Sequence, residues 1–315
     1  MLRTPVAFMI FNRPYTTARV FAEIRTAKPK TLLLVADGPR PDRAGEAEVC
    51  ATTRALVDAV DWDCQVLKNY SDDNLGCGRR VASGLTWVFG TVEEAIILED
   101  DCVPHPSFFP YCEELLTRYR NEPRVWMISG NNFQFGRKRT PFSYYFSRYP
   151  DIWGWATWRR AWQKYDYCMS DWPTLRDTSW LADLLGDEET AKWWKHVFDS
   201  NPGTEIDTWD YQWYFAHFRN DTYSISPAVN LVSNIGWGEA ASHTKGTGGH
   251  LANIRTKPMR FPLRHPASIE QCRAADDFTL RHRLSGIRPP GDVVGRVRDG
   301  IRRFFVRYPS LRFGW

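Results

Sequence analysis

The sequence predicts an α/β fold with a mostly parallel central sheet flanked by helices. In the first half of the chain, short β-rich runs alternate with segments whose apolar residues recur at helical spacing, which is the pattern of βα units. Polar residues follow each of those runs, and ligands bind beyond the carboxyl ends of the strands in open α/β sheets. The composition agrees, because 43% of the 315 residues are hydrophobic and 25% are charged.

The strands can be placed along the chain from these patterns. In the first half they are predicted at 6–11, 31–36, 65–68, 95–98 and 125–129. Helical spacing marks the segments between the first four strands, and Pro106 and Ser107 are predicted to begin a further helix. From about Phe142 the chain becomes rich in tryptophan and loops, with short helices predicted at 188–198 and 207–220 and a strand at 224–232.

The cysteines, the hydropathy and the charge narrow the class of protein. Seven scattered cysteines without a CxxC pair argue against a disulfide framework and a zinc site, and favour a reducing compartment. The apolar runs are shorter than the roughly 18 residues of a transmembrane helix, and Arg13 with Pro14 interrupts any signal-peptide core, so a cytoplasmic location is expected. A net charge of +4 and the lack of a recognised motif argue against nucleic acid as a partner.

Two aromatic features leave alternatives open. The 15 tryptophans are explained either by core packing or by surfaces that face a sugar. The tail 296–315 carries six arginines among five aromatic residues. It suits peripheral binding to an anionic membrane surface, docking on the body as a helix, or contact with a phosphate-rich substrate.

Three consecutive carboxylates, Glu99, Asp100 and Asp101, follow the apolar run 95–98. Two carboxylates about 5 Å apart repel by roughly 3 kcal/mol at an effective dielectric constant of about 20, so the cluster requires a bound cation or exposure to solvent. On an extended backbone, Glu99 and Asp101 share one face and Asp100 lies on the other. The cluster therefore predicts either a site for Mn²⁺ or Mg²⁺ or a solvated strand end.

Residues after the first two strands are candidates for binding a nucleotide. Asn12 and Arg13 follow the first strand, and Asp37 follows the second beside a glycine. Asp37 is placed either to accept hydrogen bonds from a nucleoside or to form an Asp-Gly turn. Because the first strand lacks a following GxGxxG and the chain has no Walker lysine, the usual dinucleotide and P-loop sites are not predicted.

The loop NLGCGRR, residues 74–80, is a candidate site for a diphosphate. It places two glycines before a helix, with Arg79 and Arg80 in the first helical turn. Backbone N–H groups at a helix N-terminus favour an anion, and the arginines would add positive charge.

The second half offers further acids and a histidine. Asp207 is placed to cap a helix, and Asp210 would then be its third residue, where the helix dipole favours an acid without any catalysis. Aromatic neighbours on both sides of Asp210 suit a sugar and can raise the pKa of a general base. His243 lies in a glycine-rich loop, where it would ligate the metal, touch the diphosphate or be solvated.

Taken in order over residues 4–245, these motifs resemble a GT-A glycosyltransferase, and within that group N-acetylglucosaminyltransferase I and related bacterial family 2-like enzymes. PVAFMIFNRP resembles the family's first strand and nucleotide-binding loop, and ADG resembles the second strand end, whose acid contacts the nucleoside. GRRVASGLTWVF is similar to the helix with a basic residue near the donor phosphates, here Arg79 or Arg80. IILEDDCVPHPSFFPYCEELL, the most specific match, is similar to the metal motif and its following helix.

The resemblance implies roles for individual residues. Asp101, the last acid of the metal motif, would ligate the ion, and Glu99 and Asp100 would contact the donor ribose or sugar. GWATW is similar to the Gly-Trp acceptor-side segment, and its Trp155 is a candidate for binding the donor. TWDYQW resembles the helix start that carries the base, here Asp210. The membrane anchor and disulfides of the lumenal members are not matched in this sequence, so their acceptor and compartment do not carry over.

The expected function is therefore metal-dependent, inverting transfer of a sugar from a nucleotide sugar to an acceptor hydroxyl in bacterial surface glycan synthesis. The donor is expected to be UDP-linked, with UDP-N-acetylglucosamine as a candidate, and the acceptor a glycan or lipid-linked glycan. The expected organisation is a GT-A domain at 1–250, with a nucleotide-sugar half at 1–135 and a tryptophan-rich acceptor half at 136–250, followed by an extension at 251–315.

Two other functions remain open. A sugar-1-phosphate nucleotidyltransferase uses a related α/β sheet, but it normally carries a glycine-rich first loop that FNRPYTT does not resemble. A non-catalytic glycan-binding module would account for the tryptophans.

Overall fold

The computed structural model describes residues 1–200, 207–237 and 249–283, so the predictions on His243 and the tail 296–315 lie outside the described residues. Its strands are β1 (Val6–Ile10), β2 (Thr31–Ala36), β3 (Gln65–Tyr70), β4 (Glu94–Glu99), β5 (Cys102–Pro104), β6 (Val125–Ser129), β7 (Tyr144–Ser147), β8 (Trp155–Trp158), β9 (Tyr223–Pro227) and β10 (Val232–Asn234). Its helices are α1 (Pro14–Ala27), α2 (Glu46–Asp58), α3 (Cys77–Thr91), α4 (Phe108–Tyr119), α5 (Arg159–Trp162), α6 (Trp172–Leu175), α7 (Trp180–Leu185), α8 (Glu188–Asp199), α9 (Asp210–Arg219) and α10 (Arg273–Arg283), with a 3-10 helix at Gly249–Leu251.

One large sheet forms the centre of the protein, with strand order β3-β2-β1-β4-β8-β6-β9-β7. β1 pairs in parallel with β2 and β4, and β2 pairs in parallel with β3. β8 runs antiparallel to β4 and β6, β9 is parallel to β6, and β7 is antiparallel to β9. The sheet is therefore mixed but mostly parallel, which confirms the predicted α/β class.

The five strands predicted in the first half are present, with small differences at their ends. The single strand predicted at 224–232 is wrong, because the chain leaves the large sheet at Pro227 and forms β10, which pairs antiparallel with β5 in a second, two-stranded sheet. Proline cannot donate a ladder hydrogen bond, so it tends to end a strand. Asn230 stabilises the change of direction, since its Nδ2 donates to the Val232 carbonyl at 2.8 Å.

The large sheet is covered on both faces by helices. Alternate residues of β1 point to opposite faces, as the period of a strand requires. Phe8 packs with α1, α2 and α4 in one cluster of buried residues, and Met9 packs with α3, α5 and α9 in another. Burial on both faces explains why β1, β2 and β4 are continuous apolar runs rather than alternating ones.

Most of the tryptophans belong to the interior. Eight of them are buried: Trp126, Trp155, Trp158, Trp162, Trp172, Trp194, Trp209 and Trp213. The α6–α9 region has its own aromatic core, in which the rings of Trp194 and Phe218 meet edge to face with centroids 5.1 Å apart. Core packing therefore accounts for more of the tryptophan content than sugar-facing surface does.

The two expected halves of the GT-A domain and the first part of the expected extension share one core. β7, β8 and β9 come from the expected acceptor half, yet β8 lies between β4 and β6 in the large sheet. Met259 and Leu263, from the expected C-terminal extension, are buried in the same cluster as β1. Among the described helices, none is long and apolar enough to cross a membrane.

Candidate active site

A charged cluster lies where β1 and β4 end side by side. The Arg13 guanidinium donates through Nη1 to Asp101 Oδ2 at 2.8 Å and through Nη2 to Asp100 Oδ1. The backbone N–H of Phe11 donates to the other oxygen of Asp100 at 3.3 Å. Arg13 therefore bridges two of the three predicted acids, and the chain itself supplies a cation to the cluster.

Burial and mutual repulsion raise the pKa of two of these acids. Burial raises the pKa of Glu99 to about 8, and the charges of Asp101 and Asp100 add to the rise. Burial also raises the pKa of Asp100 to about 6, against the lowering effect of Arg13. Burial alone would lower the pKa of Arg13, but the two aspartates hold it above its usual value. Glu99 is thus the member of the cluster that binds a proton near neutral pH.

The loop after β10 packs directly on Asp101. The backbone N–H of Ile235 donates to the Asp101 carbonyl at 2.8 Å, which extends the pairing of β10 with β5. A Cβ added at Gly236 would lie 1.9 Å from Asp101 Oδ2, so a larger residue does not fit without a shift. The Cys102 thiol donates to Asp101 Oδ1 at 3.4 Å. The Asp101 carboxylate thus lies against Gly236 and the Cys102 thiol, and its backbone carbonyl is held by Ile235.

The donor atoms of the cluster suit a hard cation such as Mn²⁺ or Mg²⁺. Among the contacts of the described residues, Asp101 Oδ1 accepts only from a thiol, which is a weak donor, and Glu99 Oε1 is buried without a hydrogen-bond partner. Within 1–200, 207–237 and 249–283, no group of three or more His, Cys, Asp or Glu side chains is arranged to hold a metal. From the residues that the structure describes, an ion here would therefore take one or two ligands, and substrate and water would supply others, as they commonly do for Mg²⁺.

Four consecutive backbone amides, residues 75–78, donate to two carboxylates at the start of α3. The first two donate to Asp37 at 2.9 and 3.1 Å, and the last two donate to Asp207 at 2.7 and 2.8 Å. We call residues 75–78 the amide run. Its N–H groups are the ones that the sequence predicts for a diphosphate, and in this structure they hold internal carboxylates instead.

Asp37 has an anchoring role in this arrangement. Besides the amide run, its carboxylate accepts from the backbone N–H of Gly38 and from Asn74 Nδ2, both at 3.0 Å. Each of its two oxygens thus accepts two hydrogen bonds within the chain. Burial raises the pKa of Asp37, while the N–H groups of Leu75 and Gly38 lower it. A nucleoside would have to compete with these contacts for the Asp37 carboxylate.

The two arginines of the loop differ in their surroundings. Arg80 is buried, and it donates through Nε to the Ala36 carbonyl at 3.1 Å and through Nη2 to Asn69 Oδ1 at 2.7 Å. Arg79 is exposed beside the Tyr167 hydroxyl; burial raises the pKa of Tyr167, and Arg79 lowers it. Arg79 is therefore the one able to reach an anionic ligand, and the alternative assignment to Arg80 is corrected to a structural role at the ends of β2 and β3.

Asp210 is the first residue of α9, which begins three residues later than predicted. The Thr208 hydroxyl donates to Asp210 Oδ1, and the preceding residue, Trp209, is buried. The charge of Asp210 also raises the pKa of Glu99, although by less than burial and the charges of Asp101 and Asp100 do. Asp210 thus lies within electrostatic reach of the cluster at the end of β4.

The prediction that Trp155 contacts the donor is wrong. Its side chain is fully buried, with its ring stacked on that of Trp209 at a centroid distance of 5.6 Å. The physical reason is that β8 lies between β4 and β6, where both faces of the strand are covered. Two tryptophans that the sequence did not single out, Trp153 and Trp237, are partly exposed, with ring centroids 5.9 Å apart, and Trp237 directly follows Gly236.

Asn12 lies at the edge of the site. Its Nδ2 donates to Glu46 Oε1 at 2.8 Å, and Glu46 also pairs with Arg40. The Arg40 hydrogen bond lowers the pKa of Glu46 to about 2. Glu46 therefore stays charged and fixes the amide of Asn12, a contact that spans 34 residues and left no sign in the sequence pattern.

Comparison with known protein families finds none that matches the chain, and comparison with curated proteins finds no matching sequence.

Proposed function

We propose that this protein is a metal-dependent GT-A glycosyltransferase that moves a sugar from a nucleotide sugar, expected to be UDP-linked, to an acceptor hydroxyl. The observation that carries the proposal is the convergence of Arg13, the acids 99–101 and Asp210 beyond the carboxyl end of a mostly parallel sheet. That is the edge where open α/β sheets bind ligands. The mixed sheet flanked by helices is compatible with a GT-A arrangement.

The donor would lie along the ends of β1 and β4. Asp101, with Glu99 beside it, would hold Mn²⁺ or Mg²⁺, which when bound neutralises charge on the diphosphate. Arg79 is exposed in the first turn of α3 and would stabilise the departing nucleotide. The partly exposed rings of Trp153 and Trp237 offer apolar faces to a sugar.

Asp210 would act as the general base. The acceptor hydroxyl attacks the anomeric carbon as its proton passes to Asp210, and the bond from that carbon to the phosphate oxygen breaks. The electron pair leaves with the nucleotide, so the configuration at the anomeric carbon is inverted. The position of Asp210 at a helix start beside the acid cluster supports this assignment.

The test is a screen of nucleotide sugars for Mn²⁺-dependent release of the nucleotide, with and without glycan acceptors. In the active pair, Asp210→Asn is expected to lower kcat by about 10²- to 10⁴-fold, the usual contribution of a general base. Glu188→Gln is the matched control, since it removes an exposed acid from the first turn of α8 and should leave kcat unchanged.

Three results would contradict the proposal. Near-wild-type turnover of a folded Asp210→Asn variant would remove the base assignment. Release of pyrophosphate from UTP and a sugar phosphate would select the nucleotidyltransferase. Glycan binding without metal-dependent binding of UDP would select the glycan-binding module.

A further inference from the structure

Asp207 contacts the start of a helix far from its own in sequence. Its Oδ2 accepts from the backbone N–H of Cys77 at 2.7 Å, and its Oδ1 accepts from that of Gly78 at 2.8 Å. Both N–H groups belong to the first turn of α3, which has no acidic residue of its own there. A carboxylate at a helix N-terminus is stabilised by the unpaired amides and by the helix dipole. The contact joins residues that are 130 and 129 positions apart.

The packing around this contact leaves no spare room. A Cβ at Gly76 would lie 2.4 Å from Asp207 Oδ2, and a Cβ at Gly78 would lie 2.8 Å from Asp207 Oδ1. The Cβ at Gly78 would also lie 2.7 Å from the carbonyl oxygen of Thr208. The two glycines of the loop are therefore explained by the close approach of 207–208, with no need of a bound phosphate.

The same short segment carries Asp210. Thr208 donates its hydroxyl to Asp210, and its carbonyl accepts from Gln212 Nε2 at 3.2 Å, so the first turn of α9 continues directly from the Asp207 contact. Burial raises the pKa of the Cys77 thiol well above its usual value, and the charges of Glu99, Asp207 and Asp210 raise it further. The start of α3 is therefore near both the Asp207 contact and the acids Glu99 and Asp210.

We propose that Asp207 is a positioning residue that fixes Asp210 relative to the donor side by joining the start of α9 to the start of α3. The effect that this inference predicts on kcat rests on the proposed function. Asp207 touches neither substrate nor metal in this proposal. It acts by holding α9 in place, and a displacement of about 1 Å at a catalytic group can cost about 10²-fold in rate.

The experiment compares Asp207→Ala, Asp207→Asn and a matched control, Asp187→Ala. Asp187 also accepts a backbone N–H at a helix start, from Thr190 at 2.7 Å, but it caps its own helix α8. With the active donor, Asp207→Ala should lower kcat by about 10- to 100-fold and leave the donor KM within about twofold. Asp207→Asn keeps one acceptor oxygen and should recover part of the loss. Asp187→Ala should not change kcat.

A second measurement does not depend on activity. Hydrogen exchange in Asp207→Ala should become faster in the first turns of both α3 and α9, whereas in Asp187→Ala it should become faster in α8 alone. Unchanged exchange at the start of α9 would overturn the inference, even if no nucleotide sugar were turned over and the proposed function failed. A fall in the donor KM of Asp207→Ala would also overturn it, because Asp207 would then compete with the donor phosphates for the amide run.

Discussion

At the scale of single residues, Arg13 determines the charge balance of the site. Its side chain is 19% exposed, and it bridges Asp100, whose side chain is 3% exposed, to Asp101. Removing one partner of a buried ion pair leaves an uncompensated charge, which costs more than the pair contributes when it is intact. The acids following β4 are thus tolerated without metal because a guanidinium already lies between them.

Arg13→Met should therefore destabilise the protein and make its stability depend on a bound divalent ion. We expect the free energy of unfolding to fall by about 3 kcal/mol without metal, and Mn²⁺ to restore part of it by replacing the lost charge. Urea unfolding with and without Mn²⁺ measures both effects. Arg43→Met is the control, because Arg43 is exposed and lies 3.8 Å from Asp42, so its loss should change stability by less than about 0.5 kcal/mol. Equal stability of the two variants would refute this view of Arg13.

At the scale of elements, the pairing of β10 with β5 brings a glycine onto the predicted metal ligand. Neither strand belongs to the large sheet, and each has only three residues. Their pairing continues in the hydrogen bond from Ile235 to Asp101 and places Gly236 against the carboxylate. The small sheet thus positions Asp101.

Gly236→Ala should displace the Asp101 carboxylate, because the new methyl group would lie 1.9 Å from Oδ2. We expect weaker stabilisation by Mn²⁺ in thermal unfolding and a loss of metal-dependent turnover of at least about tenfold, since a displaced ligand weakens metal binding. Gly90→Ala is the matched control: apart from the nearby backbone of α3 itself, no atom of the described residues lies within 4 Å of its Cβ position, and it should stabilise the protein by up to about 1 kcal/mol. Unchanged Mn²⁺ stabilisation in Gly236→Ala would argue against Asp101 as the ligand.

At the scale of the whole molecule, a buried acid joins α10 to the large sheet. Asp276 accepts from Ser147 Oγ at 2.6 Å, from Gln271 Nε2 at 2.7 Å and from the backbone N–H of Arg148 at 2.9 Å. Burial raises its pKa to about 6, although these hydrogen bonds lower it. The folded state therefore binds a proton at Asp276 more tightly than the unfolded chain does.

Because its pKa is raised, the contribution of Asp276 to the stability of the protein depends on pH. A raised folded-state pKa contributes stability that is present at low pH and lost as the pH rises through about 6. As the pH falls from about 6 to about 4, the free energy of unfolding of the wild type should increase relative to that of Asp276→Asn. The increase should be up to about 1.4 kcal/mol per pH unit. Urea unfolding of both proteins at several pH values measures the difference. A difference that is constant with pH would show that Asp276 is not protonated in the folded state.

The sequence predicts those parts of the structure that depend on nearby residues. Apolar runs predict β1, β2 and β4. Because the carboxyl ends of parallel strands meet at one edge of the sheet, the sequence also predicts that Arg13 lies near the acids at 99–101. The assignment of Asp207 as a cap for its own helix fails, because its partner amides are more than 120 residues away. Trp155 fails for a similar reason, since nothing in GWATW shows that β8 pairs between two strands of the other half.

The amide run also fixes the length of its loop. Two amides belong to Asp37 and the next two to Asp207, so the insertion or deletion of one residue within 75–78 would offer each carboxylate the wrong donors. Most surface loops tolerate such changes in length. In proteins descended from a common ancestor with this one, we therefore expect the loop length, the two glycines and both aspartates to be kept together or lost together.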